Sequence, residues 1–247
     1  MFSQLDLLFS TTPLSGPEQM ALDEVLLGSV DKPLCRIYKW KGPCVTFGYF
    51  QKISEVRPLF PTHELIRRWT GGGIVEHGHD VTFSLIVPQK WGSMIDTKEK
   101  IRSEIFIDHR TLPPFLRPAL FYETLHKAMA SALQAHQITA RLATGDDLVQ
   151  GEACFVAPAL HDLLVKERKI LGGAQRRSAG SLLYQGSLLL SNQPTIVDNS
   201  FIQSIFHSLA SNLASTVTII EEQPSWLEQA TEVAMSRYTS TDWLERR

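Results

Sequence analysis

Residues 34–40 (LCRIYKW) and 44–50 (CVTFGYF) are both rich in β-formers, and only Lys41-Gly42-Pro43 separates them. So short a link reads as two strands around a turn, because a parallel neighbour needs a crossover of about a dozen residues or more. The pattern recurs later. Lys169 to Arg177 and Ser181 to Leu190 are strand-like runs joined by Ser178-Ala179-Gly180, with His161 to Val165 before them. Glu64 to Trp69 and Val81 to Val87 add two more. Helical patterns interleave at Phe121 to Gln137, Phe201 to Leu213 and Trp226 to Tyr238. Ser15-Gly16-Pro17-Glu18 opens a further helix, with Ser15 able to cap, Glu18 able to reach back, and Gly28 as a stop. The fold class that fits is α+β: a mixed, largely antiparallel sheet packed with helices, not strict βαβ alternation.

A chain of 247 residues hides about 70–75% of the surface its unfolded form exposes. Hydrophobic residues are 43% and charged residues 20%, which suits a globular protein and excludes a fibre or a disordered chain. No repeat or linker divides the sequence, so a single domain over 1–247 is expected. Residues 88–118 carry charge and four prolines without sustained periodicity and read as a surface excursion, with a short helix near 98–106. The formal charge of −2 gives no global reason to expect nucleic acid. No apolar run reaches the ~18–20 residues of a membrane span, and the start lacks a basic region and cleavage site. Three widely spaced cysteines, Cys35, Cys44 and Cys154, form neither a disulfide framework nor a CxxC zinc pair. A cytosolic, reducing environment is the expectation.

Four segments carry candidate chemistry. Arg67-Arg68-Trp69-Thr70-Gly71-Gly72-Gly73 places three glycines after a strand, either as a flexible tip beside solvated arginines or as backbone that lets a ligand approach. Neighbouring arginines on a strand alternate in direction, so at most one faces a given pocket. His77-Gly78-His79-Asp80 could hold a metal if both imidazoles shared a face, but no third ligand is marked and the glycine favours a polar loop edge. Cys154 lies in a loop-like stretch, 145–160, where a cysteine is either an inert small hydrophobe or a nucleophile. Residues 166–177 hold five basic residues against one acidic, a local +4 that is either a solvated hairpin or an anion-facing surface. A thiolate near Lys169 would have a lowered pKa.

Taken in order, "MALDE" (Met20 to Glu24), "RIYKWKGPCVTFGYFQ" (Arg36 to Gln51), "RRWTGGGIVEHGHDVTFS" (Arg67 to Ser84), "ACFVAPALHDLLVKERKILGGAQRR" (Ala153 to Arg177) and "LLYQGSLLL" (Leu182 to Leu190) resemble a known family. It is the catalytic domain shared by lipoate-protein ligases, octanoyltransferases and biotin protein ligases. The resemblance implies attachment of octanoyl or lipoyl groups to a lysine of lipoyl domains, in 2-oxoacid dehydrogenases or the glycine cleavage H protein. It puts Arg68, Gly71, Gly72, Gly73 and His77 at the acyl or acyl-adenylate pocket, and Lys169 on the acyl carbonyl or adenylate phosphate. Gly172, Ala174 and Gln175 line the same tunnel. "ACFVAP" is similar to the nucleophile segment of one octanoyltransferase group, making Cys154 and Lys169 the catalytic pair. That reaction takes octanoyl from acyl carrier protein and needs no cofactor. The alternative, an ATP- and Mg²⁺-dependent ligase, is suggested by Gly73 and "HDLLV", with His161 where the transferase group usually has an aromatic residue. A ligase often carries an accessory domain, for which little length remains after residue 195. A non-catalytic acyl-binding module and a hydrolase with metal on His77 and His79 are rival readings. Neither nucleic acid nor membrane is expected as a partner.

Overall fold

A computed structural model describes residues 2–89, 91, 117–147, 158–178, 180–190 and 197–246. The apolar run at 81–87 becomes β6 (Asp80–Val87), buried along its whole length, as a strand covered on both faces must be. It pairs antiparallel with β2 (Leu34–Tyr38) on one side and β10 (Ser181–Leu189) on the other. β9 (Arg168–Ser178), β8 (Leu163–Val165) and β7 (Arg141–Leu142) continue the sheet antiparallel beyond β10.

Beyond β2 the sheet turns parallel. β1 (Phe2–Phe9) pairs with β2 and with β11 (Ala214–Ile220), completing the order β11-β1-β2-β6-β10-β9-β8-β7. The parallel β1–β2 step is spanned by α1 (Gly16–Ser29), so one helical crossover does exist in a sheet that is otherwise mostly antiparallel. The Glu18 carboxylate accepts from the Ser15 backbone N–H (2.8 Å) and from the Ser15 hydroxyl, which fixes the entry to α1.

The two runs around Lys41-Gly42-Pro43 are both strands, but they do not share a sheet. β3 (Cys44–Phe47) pairs parallel with β4 (Leu65–Arg67) and antiparallel with β5 (Val75–His77) in a separate three-stranded sheet. The chain crosses between sheets at Trp40, whose indole N–H donates to Thr82 Oγ1 on β6 (2.8 Å).

α2 (Ile53–Val56) supplies Ile53 and Val56 to the core of the small sheet. α3 (Pro118–Ala135) and α4 (Asn199–Leu213) pack together against one cluster of large-sheet residues, including Phe83, Phe121, Leu125, Phe206 and Leu209. α1 and α5 (Pro224–Val233) form a second core with Leu34, Ile86 and Leu183. The helix expected through Tyr238 ends its α form at Val233. It continues as a π turn, Ala234–Tyr238, followed by α6 (Thr241–Leu244).

A tight turn joins β8 to β9, with positive φ at both Lys166 (46°) and Glu167 (63°). That is the backbone of a two-residue hairpin turn without its customary Asn-Gly. His161 also has positive φ (71°) and sits just before β8, not within it. Most of the expected excursion at 88–118, including the helix near 98–106, lies outside the described residues, as does 148–157 with Cys154.

Candidate active site

The two sheets and α3 enclose a cavity of about 170 Å³. One wall is the glycine loop after β4. Gly72 adopts φ +85°, and a Cβ there would come within 3.1 Å of Ala174 Cβ. A Cβ on Gly48 would overlap the Gly72 carbonyl. The loop is therefore held closely against its neighbours, not left as a solvated tip. Arg68 braces it from inside: its guanidinium donates to the carbonyls of Gly71 (3.0 Å) and Gly73 (2.6 Å) and to Thr46 Oγ1 (2.7 Å).

Arg67 points the opposite way, as strand alternation requires. It is fully buried and donates to five backbone carbonyls: Tyr49, Gln51, Trp243, Leu244 and Arg246. The Trp243 indole returns a bond to the Arg67 carbonyl (3.1 Å). One arginine thus serves the cavity while its neighbour fastens the residues around α6 to the same strand.

β9 forms the facing wall. Lys169 Nζ lies 2.7 Å from Asp162 Oδ2, with both side chains buried. Asp162 also accepts from the Tyr122 hydroxyl (2.5 Å) and the Ala159 backbone N–H (2.6 Å). Gly173 N–H donates to the Tyr122 oxygen (3.0 Å). α3, the loop before β8 and β9 therefore meet on one carboxylate beside the lysine.

His77 closes the far side. One ring nitrogen, Nδ1, is 2.8 Å from Asp80 Oδ2; the other, Nε2, is 2.8 Å from Thr46 Oγ1. The imidazole stacks on Trp40 with centroids 4.2 Å apart. Burial alone would push the Asp80 carboxyl up, but hydrogen bonds from His77, Ser187 and Thr82 outweigh it and hold the group below the usual carboxylate range. His79 is exposed, because β5 ends at His77 and Gly78 turns the chain at φ +140°. The His-x-His pair does not share a face. Among the described residues no cluster of three or more His, Cys, Asp or Glu side chains is arranged around a metal position.

Of the residues expected at the pocket, Arg68, Gly72, Gly73, His77, Lys169, Gly172 and Ala174 line the cavity. Gly71 and Gln175 lie off this lining. Gly71 contributes its carbonyl to Arg68, and Gln175 donates to the Pro118 carbonyl (2.9 Å) at the surface. Thr46, Tyr122, Asp162 and Gln185 line the cavity without having been anticipated. Asp162 was visible within "HDLLV"; Tyr122 and Thr46 carried no signal beyond their helix and strand. The +4 segment is not uniformly solvated. Arg176 packs over Trp69 (4.5 Å), and burial lowers the Arg177 guanidinium to about 10.

Behind the lysine wall, His126 on α3 approaches the His161 carbonyl through Nδ1 and the Tyr184 hydroxyl through Nε2, both at 2.7 Å. A carbonyl only accepts, so Nδ1 carries the proton and Nε2 accepts from Tyr184. Burial drives the imidazole down to about 3. The unfolded chain therefore binds this proton first, near pH 6.5. The stability conferred by the neutral ring is complete above about pH 6.5 and is lost as pH falls toward about 3, at up to about 1.4 kcal/mol per pH unit. Urea unfolding at pH 7 and pH 5 should show wild type losing about 2 kcal/mol more than His126→Gln, which can keep both bonds without titrating. Equal losses would show that His126 does not set this acid limb.

Comparison with known proteins identifies the family and the fold. A family model described as "Lipoyl protein ligase A/B catalytic domain" matches residues 15–109 and 112–234. Octanoyltransferase LipM of Oceanobacillus iheyensis is 34% identical over 196 aligned positions, covering 73% of this chain and 62% of that protein. LipM of Macrococcus caseolyticus is 27% identical over 287 aligned positions, covering 99% of this chain and 100% of that protein. The match spans 60–63% of the length of the O. iheyensis protein and two further LipM relatives. Among solved structures, protein Ta0514 of T. acidophilum with bound lipoic acid superposes with a TM-score of 0.69 at 20% identity, covering 99% of this chain and 100% of that one. At that identity the likeness is one of fold. No helix among the described residues is long and apolar enough to cross a membrane.

Proposed function

Because this chain belongs to the lipoyl protein ligase A/B catalytic domain family, we propose that it transfers an octanoyl group from acyl carrier protein to a lysine of lipoyl domains, through a thioester on Cys154. The observation that carries the choice of octanoyl transfer is the identity to LipM, 34% in one relative and end to end in another. The acceptors are the lipoyl domains of 2-oxoacid dehydrogenases or the glycine cleavage H protein, the reaction needs no cofactor, and 1–247 acts as one catalytic domain.

The chemistry follows from thioester exchange. The Cys154 thiolate attacks the octanoyl carbonyl, and the carrier thiol leaves. A neutral lysine amine then attacks the new thioester, and the cysteine sulfur leaves. Lys169, buried on the cavity wall beside Asp162, supplies the positive charge that favours a thiolate and a developing oxyanion. The other two cysteines do not suit the role. Burial pushes the thiols of Cys35 and Cys44 up to about 12, so both stay protonated at neutral pH. Arg68, Gly72, Gly73, His77, Gly172 and Ala174 complete the proposed acyl site, with Gly71 supporting it through its carbonyl on Arg68 and Gln175 next to Ala174 but outside the cavity.

Incubation with octanoyl-carrier protein should give a hydroxylamine-sensitive adduct by intact mass spectrometry, present in Cys35→Ala and absent in Cys154→Ala. Transfer to a lipoyl domain should fall by at least about 1,000-fold in Cys154→Ala. Full transfer by that variant overturns the nucleophile assignment. A second reading, ATP- and Mg²⁺-dependent ligation of lipoate, draws on the fold shared with the lipoic acid-bound protein. Modification of the same domain by free lipoate with ATP, and not by octanoyl-carrier protein, would select it.

A further inference from the structure

Lysine is an ammonium at neutral pH, with an ordinary pKa near ~10.4. An acceptor lysine must therefore lose a proton before its nitrogen can attack a thioester. Among the described residues, the lysine wall presents no base to the cavity. Lys169 is itself a cation seated on Asp162, and Asp162 is already engaged by Lys169, Tyr122 and the Ala159 N–H.

The opposite wall offers one. Thr46, His77 and Asp80 stand in line, 2.8 Å from hydroxyl to Nε2 and 2.8 Å from Nδ1 to carboxylate. A hydroxyl within reach of an imidazole that a carboxylate orients is the arrangement used to move protons in nucleophilic catalysis. With His77 neutral and its proton on Nδ1 toward Asp80, Nε2 accepts from the Thr46 hydroxyl, whose oxygen accepts from Arg68. Asp80 accepts from Nδ1, and also from Thr82 and Ser187, so it remains an acceptor. Thr46 and His77 both line the cavity, and Trp40 stacked on the ring holds its orientation. Among the described residues, the charged or titratable groups linked to the imidazole are Asp80 by a hydrogen bond, Arg68 through Thr46, and Cys44, which pairs with His77 in the sheet register.

We propose that Thr46, His77 and Asp80 form a proton relay that deprotonates the acceptor ammonium inside the cavity, an inference that rests on the acyl-transfer reading above. The ammonium gives one proton to Thr46 Oγ1 as the Thr46 hydroxyl passes its own to His77 Nε2. The imidazolium is stabilised by Asp80. The neutral amine then forms the C–N bond, the C–S bond breaks, and sulfur leaves with the electron pair. The departing thiolate takes the second nitrogen proton, and His77 returns the first to water. Thr46 would contact the acceptor nitrogen directly; His77 acts through it, and Asp80 positions His77.

Hydroxylamine separates this role from a structural one, because it is already neutral at pH 7 and needs no base. Enzyme loaded with octanoyl on Cys154 is mixed in single turnover with either a lipoyl domain or hydroxylamine. With both rates measured on enzyme already loaded, Thr46→Val and His77→Gln should lower the ratio of transfer to the lipoyl lysine over transfer to hydroxylamine by about 100-fold. Thr46→Ser should keep both activities. Equal loss toward both nucleophiles, or no loss toward lysine, overturns the relay. Failure of wild type itself to load and transfer from octanoyl-carrier protein overturns the octanoyltransferase reading and the relay with it.

Discussion

Gly172→Ala should leave the protein folded and take away most of its acyl transfer. A Cβ at this position would sit 2.7 Å from Lys169 Nζ, closer still to Lys169 Cε, and 3.4 Å from Asp162 Oδ1. What it strikes is the end of a flexible side chain, not backbone, so Lys169 gives way and β9 does not. Alanine is also favoured over glycine in a strand interior by about 0.5–1 kcal/mol, which offsets part of the cost of parting Lys169 from the buried Asp162, so the protein should melt below wild type but stay folded. The lysine, however, leaves Asp162 and the wall where the reacting carbonyl is proposed to lie. Misplacing a catalytic group by about 1 Å costs on the order of 100-fold in rate, and that is the expected fall in transfer to a lipoyl domain. Gly173→Ala is the contrast. Its Cβ would overlap the buried Tyr184 ring, so it should lower stability by about 1–3 kcal/mol. Thermal melts and single-turnover transfer measured on both variants separate the two. Full transfer by Gly172→Ala would show that the lysine's position does not matter to the reaction.

Much of this site can be read from local sequence, and the unread part has a common cause. The glycine triplet, the alternation of Arg67 and Arg68 and the capped start of α1 are marked by sequence patterns a few residues long, and each is found in the structure. β1 and β11 were not anticipated. β1 mixes polar and apolar positions irregularly, and it is a strand because β2 and β11 flank it in parallel, which only α1 and the long return of the chain make possible. Thr46, Tyr122 and Asp162 converge from three separate elements, and no spacing rule connects them. The separation of β2 from β3 into different sheets is likewise decided at Trp40 by a bond to a residue 42 positions away. Periodicity identifies elements; long-range polar partners decide which element faces the cavity.

The residue most concealed from a local reading is Asp23, and replacing it should have the largest effect on stability. An aspartate within a helix ordinarily reads as solvated, yet Asp23 is fully buried. Its Oδ1 meets Arg36 at 2.8 Å, and its Oδ2 accepts from Ser84 and from Gln185 Nε2 (2.7 Å). Gln185 in turn accepts from Thr70 in the glycine loop (2.7 Å). Arg36 is fully buried as well, held further by Ser10 (3.0 Å) and the Gln19 side chain and lying over the Tyr38 ring. One network thus ties α1, β2, β6 and β10 to the loop that shapes the cavity. Asp23→Ala strands the guanidinium without a counter-charge and leaves the Gln185 amide short of an acceptor. Breaking a buried pair from one side costs about 3–5 kcal/mol, a large part of the 5–15 kcal/mol that usually holds a domain folded (roughly). Because much of that cost is the abandoned charge and not the lost attraction, removing both partners should be milder. The double replacement Asp23→Leu with Arg36→Met should therefore unfold at a higher urea concentration than either single replacement. If the single losses simply add in the double variant, Asp23 and Arg36 are not coupled, and the network does not organise this side of the fold.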